Sequence, residues 1–222
     1  MQKLLGRLEA LVLIFVVAFI GCGGFYAYHK VVDGMAEVSR TNVMVQSMIV
    51  KGNSKTSLTK LVHDKFPCLS IEEQIRLTEI IYNLCEIRNV PINLIMGLGE
   101  DESGFNPKAV SSCGAKGWLQ VLPGTARPYI RSEKLNYSET CLFDPVTCAI
   151  VSINLIADMH EGHMEAGQEK PGDFTVTLHS YLWGLASTAQ LYGKTDKRTN
   201  VPNMAYPMRV LDFAKKYKEI GL

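Results

Sequence analysis

The chain has 222 residues, which is enough for one medium-sized domain and a short additional segment. Its 23 Lys and Arg residues nearly balance its 22 Asp and Glu residues, for a formal net charge of +1. The basic residues are scattered and do not interleave with aromatic residues, so we expect no nucleic acid as a partner.

An uncharged stretch of nineteen residues, 10–28, lies near the N-terminus. At about 1.5 Å per residue, a helix of this length crosses the hydrocarbon core of a bilayer. Lys3 and Arg7 precede it and outweigh Glu9, so the positive-inside rule places the N-terminus in the cytoplasm. We therefore expect residues 1–29 to form a cytoplasmic tip and a single-pass transmembrane anchor, with the rest of the chain periplasmic or otherwise extracytoplasmic.

A cleavable signal peptide or a lipoprotein signal at this stretch would likewise place the rest of the chain outside the cytoplasm. A cleavable signal peptide has a shorter apolar region and a small-residue cleavage site, and no A-x-A site is present. The sequence FIGC at residues 19–22 resembles a bacterial lipoprotein cleavage site with Phe in place of the usual Leu. Lipoprotein processing at Cys22 is therefore the main alternative to an uncleaved anchor.

The remainder of the chain divides into a polar segment and a helical domain. Residues 30–66 are polar with scattered apolar positions, which predicts a juxtamembrane stalk with a short helix near residues 58–66. Over residues 67–222 apolar residues recur at helical spacing, which predicts one mainly α domain with little or no sheet. Ser70, Asp144 and Asp173 are the predicted N-caps of three of its helices. The predicted helices cover residues 71–88, 92–103, a short segment from 123, 145–160, a segment from 173 through 181, and 206–220.

Five of the six cysteines lie in the part of the chain expected to be exported, where disulfides are common. They are Cys68, Cys85, Cys113, Cys141 and Cys148. Cys141 and Cys148 are the first candidates for a disulfide because they flank a predicted turn at residues 143–145; burial as free thiols is the alternative. No C-x-x-C pair and no zinc-like histidine spacing occurs, so we expect no metal site.

Three consecutive acids, Glu100, Asp101 and Glu102, end an otherwise apolar helix. Successive helical residues point about 100° apart, so the three carboxylates cannot share one face. Leu94 and Leu98 lie on the face of Glu102, which predicts that Glu102 leans toward the core while the other two acids turn more toward solvent. Burial and the C-terminal end of the helix dipole both raise the pKa of Glu102, as a general acid at neutral pH requires. The alternative is a solvated helix end.

Three motifs follow one another from Glu102 onward: ESGFNP at 102–107, GAKGWLQ at 114–120 and LPGTA at 122–126. They resemble the motifs E-S-x-F-x-P, G-A-x-G-L-M-Q and M-P-x-T-A of the soluble lytic transglycosylase family, in the same order and spacing. On this resemblance we interpret residues 67–222 as a catalytic domain of that family.

Weaker similarities extend this resemblance over roughly residues 70 to 215. The LFDP segment at 142–145 resembles the turn that precedes a long helix in the family. Tyr181 with Gly184 resembles its A-Y-N-A-G segment, and Tyr206 with the following Val210 resembles its Y-x-x-x-V-L segment.

The resemblance implies a lysozyme-like α fold that cleaves the β-1,4 bond between N-acetylmuramic acid and N-acetylglucosamine in peptidoglycan. Glu102 is then expected to protonate the leaving oxygen and to act next as base on the C6 hydroxyl of muramic acid, which forms a 1,6-anhydro end. Other glycosidases need a second carboxylate, and the next acid after Glu102 in the sequence is only Glu133. The expected substrate contacts are Ser103, Gln120, Tyr181, Tyr206 and Trp118, with Tyr206 near Glu102, and no cofactor is implied.

The sequence departs from the family pattern at four single positions and in the stretch before Tyr206, which lacks the usual Glu-Thr. Leu182 stands in place of an Asn and Trp183 in place of an Ala, Cys148 stands where Asn is usual, and Trp118 replaces a Leu. The loss of the Asn predicts weak activity or an altered substrate. Trp118 and Trp183 are expected either to stack on sugar rings or to be core residues.

Two other functions remain open at this point. A hydrolytic lysozyme of the goose type shares the fold and the Glu but uses water, and a non-catalytic peptidoglycan-binding scaffold of a secretion apparatus or virion keeps only the binding surface. The biological context, whether wall remodelling, secretion or phage entry and lysis, is not decided by the sequence.

Overall fold

The structure, a computed structural model, describes residue 37 and residues 52–138, 140–184 and 205–222. The fold within these ranges is helical, and its strand pairing is limited to isolated bridges that join Lys116 to Val110 and to Val121. This confirms the predicted mainly α class for the described part of the chain. The helices are α1 (residues 52–65), α2 (Ile71–Arg88), α3 (Ile92–Ser103), α4 (Pro123–Ser132), α5 (Pro145–Glu165), α6 (Thr175–Trp183) and α7 (Ala205–Glu219), with a 3-10 turn at Cys141–Phe143.

Two of the three predicted N-caps, Ser70 and Asp144, begin their helices as expected, whereas α6 has Phe174 at its N-cap and Asp173 one residue before it. The Ser70 side chain accepts a hydrogen bond from the backbone N–H of Glu73, whose carboxylate accepts one from the N–H of Ser70 at 2.8 Å. The Asp144 carboxylate accepts the N–H of Thr147 at 2.9 Å, directly before the Pro that opens α5. Because these bonds satisfy backbone donors that a helix start leaves unpaired, two helix starts follow from local sequence alone.

The domain begins earlier than the predicted boundary at residue 67. Leu58, Val62 and Phe66 are fully buried in the main core, at the spacing of one helix face. Burial of such side chains contributes roughly 1.5 to 3 kcal/mol each. Residues 53–66 are therefore part of the unit Asn53–Leu222 and not of a stalk, which corrects the prediction.

Helices α3 and α7 approach each other closely enough to require glycine. A Cβ atom added to Gly97 would lie 2.7 Å from the backbone nitrogen of Ala214 and 2.8 Å from the carbonyl oxygen of Val210. The Asn93 side chain also donates to the carbonyl oxygen of Ala214, at 3.0 Å. Backbone-to-backbone packing of this kind brings α7 within reach of the acids at the end of α3.

Trp118 lies in the core and not in a substrate cleft. Its ring is 0% exposed, stacks on Phe105 with ring centroids 5.9 Å apart, and meets the edge of Phe66 at 5.3 Å. Its Nε1–H donates to the carbonyl oxygen of Pro145 at 3.0 Å, so the indole is satisfied without a ligand. The predicted substrate contact at Trp118 is wrong, because a large apolar ring is stabilised more by this aromatic cluster than at the surface.

The predicted Cys141–Cys148 disulfide is absent. Both residues are free thiols, and Cys148 is buried on α5 with its sulfur beside Ser152 and the backbone of Leu119. Burial raises the pKa of the Cys148 thiol to about 12, which makes it unreactive at neutral pH. The alternative of a buried free cysteine therefore holds for this residue.

The predicted membrane anchor at residues 10–28 lies outside the described residues. Within the described ranges, no helix combines the length and apolar character needed to cross a bilayer.

Candidate active site

Glu102 lies in the last turn of α3, on the same helix face as the buried residues Leu94 and Leu98. Gly104 ends the helix with a left-handed φ of 60°, a conformation that favours glycine. The Glu102 carboxylate accepts a hydrogen bond from the phenol of Tyr206 on α7. The prediction that Glu102 leans toward the core is thus confirmed, and Tyr206 lies beside it as expected.

The surroundings of Glu102 favour its protonated form. Burial raises the pKa of this carboxyl to about 7, and the negative charge of Asp101 acts in the same direction. The hydrogen bond from Tyr206 and the positive charge of Arg209 oppose the rise. A carboxyl with a pKa near 7 is half protonated at neutral pH and is suited to donate and then accept a proton.

The three acids of α3 have separate partners. Arg209 binds Asp101 with two hydrogen bonds, of 2.8 Å from Nε and 3.1 Å from Nη2. Glu100 accepts hydrogen bonds from Lys65, at 3.0 Å, and from the phenol of Tyr217. The prediction that Glu100 and Asp101 turn to solvent is therefore wrong for Asp101, whose side chain is only 7% exposed, because α7 covers this side of α3.

Ser103 and Gln120 stabilise the loops of the site through bonds to the backbone. The Ser103 hydroxyl donates to the carbonyl oxygen of Trp118 at 2.8 Å and accepts the N–H of Asn106 at 3.0 Å. Gln120, with a left-handed φ of 52°, donates from Nε2 to the carbonyl oxygen of Gly117 at 2.9 Å. Ser103 thus joins the first motif to the second and Gln120 braces the second, while their predicted contact with substrate stays a prediction.

Tyr181 holds the same loop from the side of α6. Its phenol donates to the carbonyl oxygen of Leu119 at 2.7 Å and contacts the Ser152 hydroxyl at 3.3 Å. Burial raises the pKa of Tyr181, and the nearby negative charge of Glu102 raises it further. Tyr181 is therefore a near neighbour of the carboxyl, with its hydroxyl already engaged by the protein.

Two of the departures from the family pattern are exposed at the end of α6. Trp183 is 53% exposed and Leu182 is 42% exposed, two residues or fewer from Tyr181. Of the two tryptophans in the chain, Trp183 is thus the one on the surface. Its predicted contact with sugar is compatible with this exposure and stays a prediction.

A cavity of about 370 Å³ beside α4 is separate from Glu102. The side chains that line it include neither Glu102 nor its partners; they are Arg127, Ile130, Arg131, Leu135 and Tyr137. Among the residues that the structure describes, no group of three or more His, Cys, Asp or Glu side chains is placed to hold a metal ion. The site is therefore centred on Glu102 and its partners from α3, α6 and α7.

Sequence reasoning missed the ion pair between Asp101 and Arg209. The two residues are 108 positions apart, and no local pattern joins them. The available signal was that Arg209 follows Tyr206 by three residues, which places both on one face of a helix predicted to approach Glu102.

Comparison with known proteins gives the family of the chain. The family model for the transglycosylase SLT domain matches residues 80–206, which is more than half of the chain, so the chain belongs to this family. Among solved structures, an inactive mutant of the lytic transglycosylase Slt from Pseudomonas aeruginosa is similar in fold, with a TM-score of 0.54 and 18% sequence identity. The similarity covers 73% of this chain but 29% of that enzyme. No curated protein sequence matches the chain.

These comparisons give the fold a name. The described helices form the lysozyme-like fold of the SLT family, as the motifs predicted. The family model describes a transglycosylase SLT domain.

Proposed function

We propose that this chain cleaves the β-1,4 bond between N-acetylmuramic acid and N-acetylglucosamine in peptidoglycan and forms 1,6-anhydro ends, with Glu102 as the only catalytic carboxyl. The observation that carries the proposal is the state of Glu102. It is a largely buried carboxyl with a pKa raised to about 7. It accepts a hydrogen bond from the Tyr206 phenol and lies at the start of the first motif.

The proposed reaction uses Glu102 twice. The protonated carboxyl first donates its proton to the glycosidic oxygen while the bond from that oxygen to C1 of muramic acid breaks. The resulting carboxylate then takes the proton of the C6 hydroxyl of the same sugar, whose oxygen attacks C1. No water is consumed, and Glu102 returns to its protonated state.

The contacts of the neighbouring acids support a mechanism with a single catalytic carboxyl. Arg209 binds Asp101 and Lys65 binds Glu100, so both carboxylates are already engaged by partners within the protein. Retaining and inverting hydrolases place a second carboxylate across the sugar, about 5 to 10 Å from the acid. A substrate that supplies its own nucleophile removes the need for that second group.

The test is the chemical form of the released fragments. The full-length protein is incubated with purified peptidoglycan, and the soluble products are analysed by mass spectrometry, with Glu102→Gln as the inactive variant. Glu161→Gln, an exposed acid on α5, is the matched control and is expected to behave as the unmodified protein. Anhydro ends, each one water lighter than a hydrolysis product and missing with Glu102→Gln, are the expected result.

Other outcomes identify the alternatives. Reducing ends that depend on Glu102 indicate a hydrolytic lysozyme of the goose type. Binding of the folded protein to peptidoglycan without any release of fragments indicates a non-catalytic scaffold, in agreement with the departures at Leu182 and Cys148.

We also propose that residues 10–28 anchor the protein in a bilayer, with the domain on the extracytoplasmic side. The support is the uncharged length of this stretch and the basic residues Lys3 and Arg7 before it. Resistance of the full-length chain to extraction from membranes by alkaline carbonate is expected, and a chain without residues 1–29 should be extracted. Lipid attached at Cys22, detected by mass spectrometry, would replace the anchor by a lipoprotein.

A further inference from the structure

We propose that the ion pair of Asp101 and Arg209 is a positioning device that holds the Tyr206 phenol on Glu102 and balances the charge beside that carboxyl. The inference rests on the proposed function of Glu102 as the proton donor. Asp101 precedes the first motif, and Arg209 occupies an unspecified position of the Y-x-x-x-V-L segment.

The pair has the geometry of a fixed contact. Two parallel hydrogen bonds, Nε to Oδ1 at 2.8 Å and Nη2 to Oδ2 at 3.1 Å, join the planar guanidinium to the carboxylate. Such two-point contacts specify orientation as well as distance. Asp101 is 7% exposed at its side chain and Arg209 is 57% exposed, so the anchor point is on the buried side of the contact.

The pair lies next to the two residues whose contact it stabilises. Asp101 immediately precedes Glu102 on α3, and Arg209 follows Tyr206 by three residues on α7. The guanidinium also lies over the Tyr206 ring, 5.8 Å from its centroid. Arg209 thus contacts both α3 and the tyrosine that α7 presents.

Other contacts between α3 and α7 do not replace this one. Gly97 allows the two backbones to touch near Val210 and Ala214, and the Tyr217 phenol reaches Glu100 farther along α7. These contacts set the separation of the helices and hold the C-terminal half of α7. Asp101 and Arg209 are the contact at the Tyr206 end, where a rotation of α7 would withdraw the phenol.

The negative charge of Asp101 and the positive charge of Arg209 also act on Glu102 in opposite directions. The groups that face this carboxyl are Asp101 from its own helix, Tyr206 and Arg209 from α7, and Tyr181 from α6. Burial is the main cause of its raised pKa; the charge of Asp101 adds to the rise and the charge of Arg209 reduces it. Removal of either partner therefore leaves the other uncompensated, with opposite consequences for Glu102.

The test uses this opposition, which a purely structural ion pair does not produce. In the full-length protein, kcat/KM on peptidoglycan is measured against pH for Arg209→Gln, Asp101→Asn and the double variant. Activity falls as pH rises through the pKa of Glu102, because the protonated form starts the reaction. Arg209→Gln should move this alkaline limb upward. Asp101→Asn, whose side-chain oxygen can still accept a hydrogen bond from Arg209 and so keep the Tyr206 phenol in place, should move it downward. Each shift should be about 0.3 to 1 pH unit, and the double variant should lie between them.

Two further variants separate charge from position. Arg209→Lys keeps the charge but not the two-point geometry. Its alkaline limb should therefore lie near that of the unmodified protein, while its kcat should be several-fold lower. Arg88→Gln is the matched control: it removes an ion pair, to Asp158, that joins α2 to α5 at the opposite end of α3 from Glu102. Its pH profile should be that of the unmodified protein.

A second measurement keeps the inference independent of activity. Titration of the Glu102 carboxyl by NMR, with 13C-labelled glutamate and assignment by Glu102→Gln, reports its pKa in folded protein whether or not peptidoglycan is cleaved. Opposite shifts of the Glu102 pKa in the two single variants support the proposed role of the pair. If they occur without any release of fragments, the proposed function is wrong but the role of the pair is not. Shifts in the same direction, or none, in variants that remain folded by circular dichroism overturn the role of the pair while leaving Glu102-dependent cleavage standing.

Discussion

The Tyr206 phenol donates a hydrogen bond to the Glu102 carboxylate although the two residues are 104 positions apart in sequence. Glu102 ends α3 and Tyr206 opens α7, and the close packing at Gly97 brings these helices together. The bond stabilises the ionised carboxylate, whereas burial stabilises the protonated carboxyl. The pKa of about 7 is the balance of these effects, and it governs how activity and stability respond to pH.

Replacement of Tyr206 by Phe should shift the pH dependence of activity upward. The ring that packs between the helices is retained, while the bond that lowers the pKa of Glu102 is lost. A hydrogen bond to a charged group contributes about 1.5 to 3 kcal/mol, so the alkaline limb of kcat/KM should rise by roughly one to two pH units. Tyr217→Phe, which removes a similar bond to Glu100 on the same helix, is the control and should leave that limb in place. An unshifted limb in Tyr206→Phe would mean that the bond is not made in solution.

Glu102→Gln should stabilise the fold at alkaline pH and have little effect in acid. In the folded protein the pKa is about 7, above the ordinary value of 4.5, so between these values the native state holds a proton that the unfolded state releases. Stability therefore falls as pH rises from about 4.5 to 7, by roughly 3 kcal/mol in total, and a neutral Gln avoids this loss. Urea denaturation at pH 4 and pH 8 measures the difference. An equal effect of the substitution at both pH values contradicts the raised pKa.

Trp118→Ala should destabilise the domain by about 3 to 5 kcal/mol. The ring is 0% exposed and packs on Phe66 and Phe105, so its removal leaves a cavity and loses the hydrogen bond to the carbonyl oxygen of Pro145. The measurement is the midpoint of chemical denaturation. Trp118→Phe, which keeps most of the aromatic contact, should lose less. A loss of less than about 1 kcal/mol in the free energy of unfolding for the alanine variant would indicate that Trp118 is not a core residue.

Trp183→Ala should leave stability unchanged within about 0.5 kcal/mol, because a half-exposed side chain at a helix end contributes little to folding. If Trp183 contacts a sugar ring, KM for peptidoglycan should rise about threefold to tenfold while kcat changes less. Steady-state kinetics on soluble glycan fragments measures both constants. Met208→Ala, also exposed, is the comparison and should change neither constant. The same KM in both variants would exclude the contact at Trp183.

A fragment of residues 53–222 should fold, whereas a fragment of residues 67–222 should be markedly less stable. The shorter fragment lacks Leu58, Val62 and part of the aromatic cluster around Phe66, all fully buried. The loss of three such side chains removes roughly 5 to 9 kcal/mol, comparable to the whole stability of many domains. Thermal unfolding followed by circular dichroism distinguishes the two fragments. Equal midpoints of thermal unfolding would mean that the domain begins at residue 67, as the sequence predicted.

Local rules predicted most helix positions correctly, and the wrong assignment of α1 to a stalk has a physical reason. The caps at Ser70 and Asp144 and the proline starts at residues 91, 123 and 145 determine where helices begin, since they act within one turn. The segment 53–66 has a narrow apolar face among polar residues, which is typical of a stalk as well as of a domain helix. Only the presence of a complementary aromatic core around Phe105 distinguishes the two.

The sequence by itself determined the family, the mainly helical class and the identity of Glu102 as the acid on the apolar face of its helix. These follow from motif order and from the 3.6-residue period, which fix the direction of a side chain relative to its own helix. Tertiary structure alone decided which partner each acid of α3 has, which tryptophan is buried, and that Cys148 is unpaired. Those outcomes depend on contacts between segments up to about a hundred residues apart, and such contacts are set by how the helices pack together rather than by any local pattern.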